Sequence, residues 1–429
     1  MSQRVFSLIV LVVLVPLSCP AAGSSESLRA VIDRTAPHLK PNPQLPLNDL
    51  DSTVRVRSPL SRLKLKLAAG AAVHVGYLGG SITQNAKGHT KMVSDMLVSL
   101  AKERGSRSKF RFTNAGLSST CSTSGAFRLP SHILDKGPVD LLIVEFAVND
   151  DQDAGHSYRD CVRGMEGIVR RATRANPNVE IVIVHFVNTG MVETLHKGRT
   201  PLSIRAHEAV AAHYEIASVN VAASVAGSIK RGEYTWQDYG GVHPKPFGYL
   251  AASIRIYEAI RQGLDKSAKG AADATGKEAL PAPIDPQSYD AGVFVAPTMA
   301  KRSAGWRTGK ATKALMPSGG VRAQYAGYDA IRAEKPGETL TLDFKGRAVG
   351  AFILAGPDAG IVETRIDGGD WKSTDLFHRF SEKLNYPRSV MFHTGLESGP
   401  HRLELRVAKS THAKSRGNAA TILHFEVNE

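Results

Sequence analysis

Between residues 70 and 264, apolar strand-like runs alternate five times with amphipathic helical segments, and few folds accommodate that alternation. The runs are 73–78, 110–113, 139–147, 179–187 and 216–221. The third, V-D-L-L-I-V-E-F-A, is almost continuously apolar, as a strand covered on both faces requires. Helical spacing follows each strand. Met92, Val93, Met96, Leu97 and Leu100 trace one face, and Tyr158, Cys161, Val162, Met165, Ile168, Val169 and Ala172 trace another. Pro201 and Pro246 open later helices, at the position where proline's missing N–H costs nothing. The pattern predicts a three-layer α/β/α domain with a parallel sheet of flavodoxin-like order 2-1-3-4-5.

Beyond residue 286 the period changes. Leu340, Leu342 and Phe344 alternate with polar residues, as do Leu403, Leu405 and Val407, and Leu423, Phe425 and Val427. Asp367-Gly368 after Ile366 is a hairpin signal. Residues 287–429 therefore read as an all-β accessory domain, a sandwich of jelly-roll type. The Ala-, Gly-, Lys- and Pro-rich stretch 265–286 reads as a linker. Residues 24–69 read as an N-terminal arm ending in a short helix.

The first 23 residues have the form of an export signal: Arg4, an apolar run over 5–17, then Cys19-Pro20-Ala21-Ala22-Gly23. Secretion or a periplasmic location is the expectation, with membrane attachment only through a lipid on Cys19. After the signal two cysteines remain, Cys121 and Cys161. Export permits a disulfide between them, and the helical apolar face carrying Cys161 equally suits a buried thiol. The formal charge of +14 is scattered rather than blocked. It favours acidic partners without choosing between nucleic acid and an anionic polysaccharide. No zinc-like cysteine spacing and no phosphate-binding Gly-Lys-Ser/Thr loop occurs, so neither a metal nor an organic cofactor is expected.

Chemistry-bearing residues stand at the carboxyl ends of the strands, where open α/β sheets place their sites. Gly79-Gly80-Ser81 follows the first strand, Asn114 and Gly116 the second, and Asn149 the third; Val242-His243-Pro244 precedes the last helix. In a 2-1-3-4-5 sheet these loops converge. A serine hydroxyl becomes a nucleophile when a base takes its proton, and histidine does so near neutral pH. A glycine N–H and an asparagine NH2 can stabilise an oxyanion without adding charge.

Taken together, these blocks resemble the SGNH (GDSL-type) hydrolase family. The resemblance covers about residues 70 to 263 and implies Ser81 as nucleophile and His243 as base. It implies the Ser81 and Gly116 N–H groups with the Asn149 side chain as oxyanion donors. The family usually places an acid three residues before the histidine, where this chain has Gly240. Asp238 is the favoured replacement. Asp150, Asp151, or a Ser–His dyad oriented by a backbone carbonyl are the alternatives. Trp236 and Tyr239 flank the base loop and could stack on a sugar ring. Trp371, His378, Arg379 and Arg388 could build a polar surface in the β-domain.

The expected function is a secreted serine esterase that deacetylates a carbohydrate, with an acylated and potentially anionic glycan as partner and no nucleic acid. The carbohydrate rests on the resemblance, export and the added β-domain. A non-catalytic glycan-binding protein on the same scaffold is the rival, fed by Gly240. A lipid or thioester hydrolase is the enzymatic alternative, and no long apolar lid supports it.

Overall fold

The computed structural model describes residues 28–35, 45–267 and 280–429. The export segment, Cys19 and most of the expected linker lie outside them.

Six strands form the first sheet: β1 (Val54–Arg55), β2 (Val73–Gly79), β3 (Phe110–Gly116), β4 (Leu141–Glu145), β5 (Glu180–Val184) and β6 (Ala217–Val219). Their order is β1-β6-β5-β4-β2-β3. The five strands β2 to β6 are parallel in the expected order, and β1 adds antiparallel to β6. Alternation along each strand feeds two cores. Val75, Tyr77, Leu141, Ile143, Val182 and Val184 point to one face. There they meet α5 (His89–Glu103) and α12 (Pro246–Asp265). Leu78, Leu142, Val144, Ile181 and Ile183 point to the other. There they meet α6 (Ser122–His132), α7 (Tyr158–Ala175) and α9 (Leu202–His213).

The arm before this domain packs on it. Helix α1 (Leu28–Thr35) is far shorter than the roughly 12 residues an isolated helix needs. It is held by the burial of Val31 and Ile32 in the first core. After α2 (Leu50–Thr53), α3 (Ser61–Ala68) seats Leu63 and Leu67 there as well.

The second domain has nine strands: β7 (Gly292–Val295), β8 (Lys301–Arg302), β9 (Arg307–Lys310), β10 (Asp329–Ala333), β11 (Thr339–Ala355), β12 (Ile361–Ile366), β13 (Lys372–Asp375), β14 (Tyr386–Val407) and β15 (Ala420–Asn428). All pair antiparallel, in the order β13-β12-β14-β11-β15-β10-β9, with β7 on β15 and β8 on β11. The long strands β11 and β14 bend at register shifts near Gly346 and Val349. One core takes Val349, Ala351 and Ile353 from β11, and a second takes Phe352 and Leu354 with Leu117 of the first domain.

The two domains share a surface. Ala348 and Tyr289 join the core beneath α6 and α7. Residues 280–286, expected as linker, are bound to α7: Arg170 donates to the Pro281 carbonyl at 2.7 Å, and Asp285 accepts from Arg159 and Arg163. Asp290 gathers Arg170, Arg174 and Arg347 at 3.1, 2.6 and 3.0 Å. Among the described residues, no helix is long and apolar enough to cross a membrane.

Candidate active site

Strand β2 delivers its chain to a tight glycine turn. Gly80, with φ −83° and ψ −144°, caps a single turn of helix, α4 (Ser81–Gln84). A Cβ on Gly80 would lie 2.2 Å from Oδ1 of Asn149. Ser81 is therefore the first residue of α4, and its N–H is one of the helix-start donors without an intrahelical acceptor.

His243 lies in the loop between α11 (Trp236–Tyr239) and α12. It is exposed, and its Nε2 stands 2.8 Å from Ser81 Oγ. Two left-handed residues shape that loop, Gly240 at φ +110° and Gly241 at φ +83°. The Lys245 N–H closes it on the Tyr239 carbonyl at 2.9 Å. A Cβ at Gly240 would sit 2.1 Å from the Lys245 nitrogen. Turn geometry thus bars a carboxylate from the position three residues before the histidine.

Asp238 does not take over that role here. Its carboxylate accepts from the Thr235 N–H at 2.8 Å and the Thr235 hydroxyl at 2.7 Å, completing a capping box at the start of α11. Those bonds also hold its pKa below the usual value. The alternatives are equally committed. Asp150 is fully buried and accepts from the Ser122 N–H and hydroxyl and from His207. Burial pushes Asp150 up, but His156 and His207 outweigh it and hold its pKa well below the carboxylate range. Asp151 accepts from Asn188 at 2.8 Å. Among the described residues, no carboxylate is hydrogen-bonded to His243, which leaves a Ser–His pair.

The expected oxyanion donors sit on the neighbouring strands. Gly116 pairs with Gly79 across β2 and β3, which brings it beside the serine turn. Its N–H donates to Asn114 Oδ1 at 2.9 Å, so a substrate oxygen would have to share it. Asn149 follows β4, is 3% exposed, and opens a π-helical turn (Asn149–Asp153). Its Nδ2 donates to Asp153 Oδ2 at 2.5 Å.

Of the two aromatic candidates, Trp236 is partly buried. Tyr239 is 0% exposed and stacked on Trp236 with ring centroids 5.6 Å apart, so its ring is core and not a platform for a sugar. His185 is likewise core, bonded to Glu208 at 2.8 Å. In the β-domain Trp371 is flanked by Arg365 and Arg406, 4.6 and 4.1 Å from its ring centroid. Arg388 turns inward to the carbonyls of Leu376 and Phe377.

Sequence reasoning missed the residues that support the turn from below. Glu145, at the end of β4, accepts from the Gly80 N–H at 2.9 Å, the Thr83 N–H at 3.2 Å and the Thr83 hydroxyl at 2.6 Å. Burial pushes its pKa up to about 7 against these bonds. An acid alone in an apolar strand was the available signal. Arg128, fully buried on α6, donates to the Gly79 and Ala115 carbonyls at 2.8 and 2.6 Å, tying the ends of β2 and β3 together.

Cys121 and Cys161 are both buried free thiols. Donors of Cys121, Asp150 and His156, and of Asp150, Cys161 and His207, lie within 4.8 Å of one another. The shared Asp150 oxygens are already occupied by Ser122 and His207, so the cluster is a satisfied buried network rather than an open ligand set.

A doubly wound sheet with a paired serine and histidine at its carboxyl edge defines the class, an α/β/α hydrolase domain. Residues 77–251 match the GDSL-like Lipase/Acylhydrolase family, and the protein is an ester hydrolase built on that domain. Two solved structures of a two-domain esterase (CEX) active on acetylated mannans share the whole architecture. One, with mannopentaose, is 20% identical at a TM-score of 0.68; the other is 19% identical at 0.69. Each likeness covers 89% of this chain and 98% of that one. At this identity the likeness establishes a common two-domain fold. No curated protein matches the chain in sequence.

Proposed function

We propose that this protein is an exported serine esterase that removes acetyl groups from a carbohydrate. The observation that carries the proposal is the 2.8 Å contact between Ser81 Oγ and an exposed His243 Nε2, with Asn149 packed against the same turn. His243 takes the hydroxyl proton as Ser81 Oγ bonds to the ester carbonyl carbon. The carbonyl oxygen, now negative, is held by the Ser81 and Gly116 N–H groups and by Asn149. The ester C–O bond then breaks, and His243 returns the proton to the departing sugar hydroxyl. Water attacks the acetyl-serine by the same route, releasing acetate. The acetylated-mannan activity of the structurally similar esterase, the apolar run after Arg4 and the fused β-domain support the carbohydrate and the export.

The test is acetate release from an aryl acetate and from acetylated mannan. Ser81→Ala and His243→Ala are each expected to lose at least about 10³-fold in kcat, as members of one catalytic unit do. Asp238→Asn is expected to stay within about twofold, because its carboxylate serves the α11 cap. If Ser81→Ala turns over both esters as fast as the wild type, the serine mechanism is wrong and glycan binding without catalysis becomes the better reading.

A further inference from the structure

We propose that Asp153 is a positioning residue for the oxyanion donor Asn149, and that the β-domain holds Asp153 in place; this rests on the serine-esterase reading above.

An asparagine NH2 has two hydrogens, and their directions are set by whatever fixes the amide plane. Here both ends of the amide are fixed. Oδ1 of Asn149 is pressed against Gly80, where a Cβ would come within 2.2 Å of it. At the other end, Nδ2 gives one hydrogen to Asp153 Oδ2 at 2.5 Å, which leaves the second for a substrate oxygen. The π-helical turn places these two residues four apart on the same loop. An unusual turn at this point needs an external hold, and the β-domain supplies it. His378 Nε2 donates to the Asp153 carbonyl at 2.8 Å, and the Arg379 guanidinium donates to the Gln152 carbonyl. His378 is itself stacked on Tyr386, with centroids 4.4 Å apart and planes 7° apart. On the neighbouring loop, Tyr325 donates to the Ser118 carbonyl at 2.6 Å and Arg322 to the Ser119 hydroxyl at 2.5 Å. The loops that follow β3 and β4 are therefore both gripped by the second domain. A cavity of about 300 Å³, lined by Asp153, Tyr386, Arg388 and Cys121 among others, lies along this seam.

The consequence is that Asp153 acts only through Asn149. Asp153→Ala is expected to lower kcat on acetylated mannan by about 10- to 100-fold with KM unchanged, part of the roughly 10²–10³ that one oxyanion donor supplies. Asp153→Asn keeps an oxygen acceptor for Nδ2 and is expected to be more active than Asp153→Ala. His378→Ala is expected to lower kcat several-fold in the same way. The deciding comparison is a double-mutant cycle: in an Asn149→Ala background, Asp153→Ala should cost nothing further. Thermal melts of all variants show whether each is folded. An equal loss from Asp153→Ala in both backgrounds, or a loss confined to KM, would overturn the proposal. So would an unchanged kcat in the single variant while Ser81→Ala abolishes turnover. Turnover that survives Ser81→Ala would instead sink the esterase reading on which this one stands.

Discussion

Glu145 carries a proton problem that its strand position creates. It is 1% exposed, three donors converge on Oε1, and Oε2 has no partner. Its folded pKa of about 7 lies above the ordinary 4.5, so folding favours the protonated form. The stabilisation is fully present below pH 4.5 and is lost as pH rises through 7. Over that interval the loss is of order 3 kcal/mol at about 1.4 kcal/mol per pH unit. Glu145→Gln keeps the acceptor oxygen and removes the titration. Chemical denaturation from pH 4.5 to 8 should give a shallower fall in stability for the variant than for the wild type. Glu426, pushed up to about 8 by burial, contributes a slope of the same sign to both proteins and cancels in the comparison. An identical slope in the two proteins would show that Glu145 is ionised throughout. At this same scale, Asp238 shows where reading residues alone stops. Its distance along the chain from His243 suggested an acid, while Thr235, three residues before it, claims the carboxylate.

At the scale of elements, the serine turn is a three-strand construction. β2 presents Gly80 and Ser81, β3 presents Gly116, and β4 presents Glu145 and Asn149, in one parallel register. The backbone of one strand end packs directly on side chains from the next, so a methyl group fits only if a side chain moves. Gly80→Ala would place its Cβ 2.2 Å from Asn149 Oδ1, and the amide would have to swing out of the site. We expect at least about a 10²-fold fall in kcat, comparable to losing an oxyanion donor. The KM should stay near the wild-type value, as read from initial rates on an aryl acetate. A variant with wild-type kcat would mean that Asn149 is not needed where it sits. The alternation of strands and helices made these elements legible in advance, because burial on both faces leaves a continuous apolar signature. The π-helical turn was not legible, since N-D-D-Q-D has no apolar period to read.

At the scale of the whole molecule, the domain seam is ionic as well as apolar. Asp290 is 5% exposed and neutralises Arg170, Arg174 and Arg347. Arg170 and Arg174 belong to the α/β domain, and Asp290 and Arg347 to the segment that leads into and forms the β-domain. Removing the shared acid takes a carboxylate partner from the largely buried Arg170, while Arg174 and Arg347 stay partly hydrated. The cost is therefore expected below the roughly 3–5 kcal/mol of a fully buried pair. Asp290→Ala should therefore lower the urea midpoint, with the β-domain loosening at a lower urea concentration than in the wild type. A midpoint unchanged from the wild type would show that Asp290 is not needed to hold the seam.

The sequence by itself determined what depends on local pattern. Periods of two and of 3.6 residues gave the strands and helices, their alternation gave the sheet order, and the change of period marked the second domain. The order of Ser81, Gly116, Asn149 and His243 at strand ends gave the candidate chemistry. Only the tertiary structure decided which side chains meet. It turned Asp238 into a helix cap, Tyr239 into core, and residues 280–286 into a docked segment. It also placed Glu145 under the nucleophile turn and His378 behind Asp153, 225 positions away along the chain. The reason is physical: periodicity records which face of an element is buried, whereas hydrogen bonds between distant loops depend on distances that closing the fold alone sets.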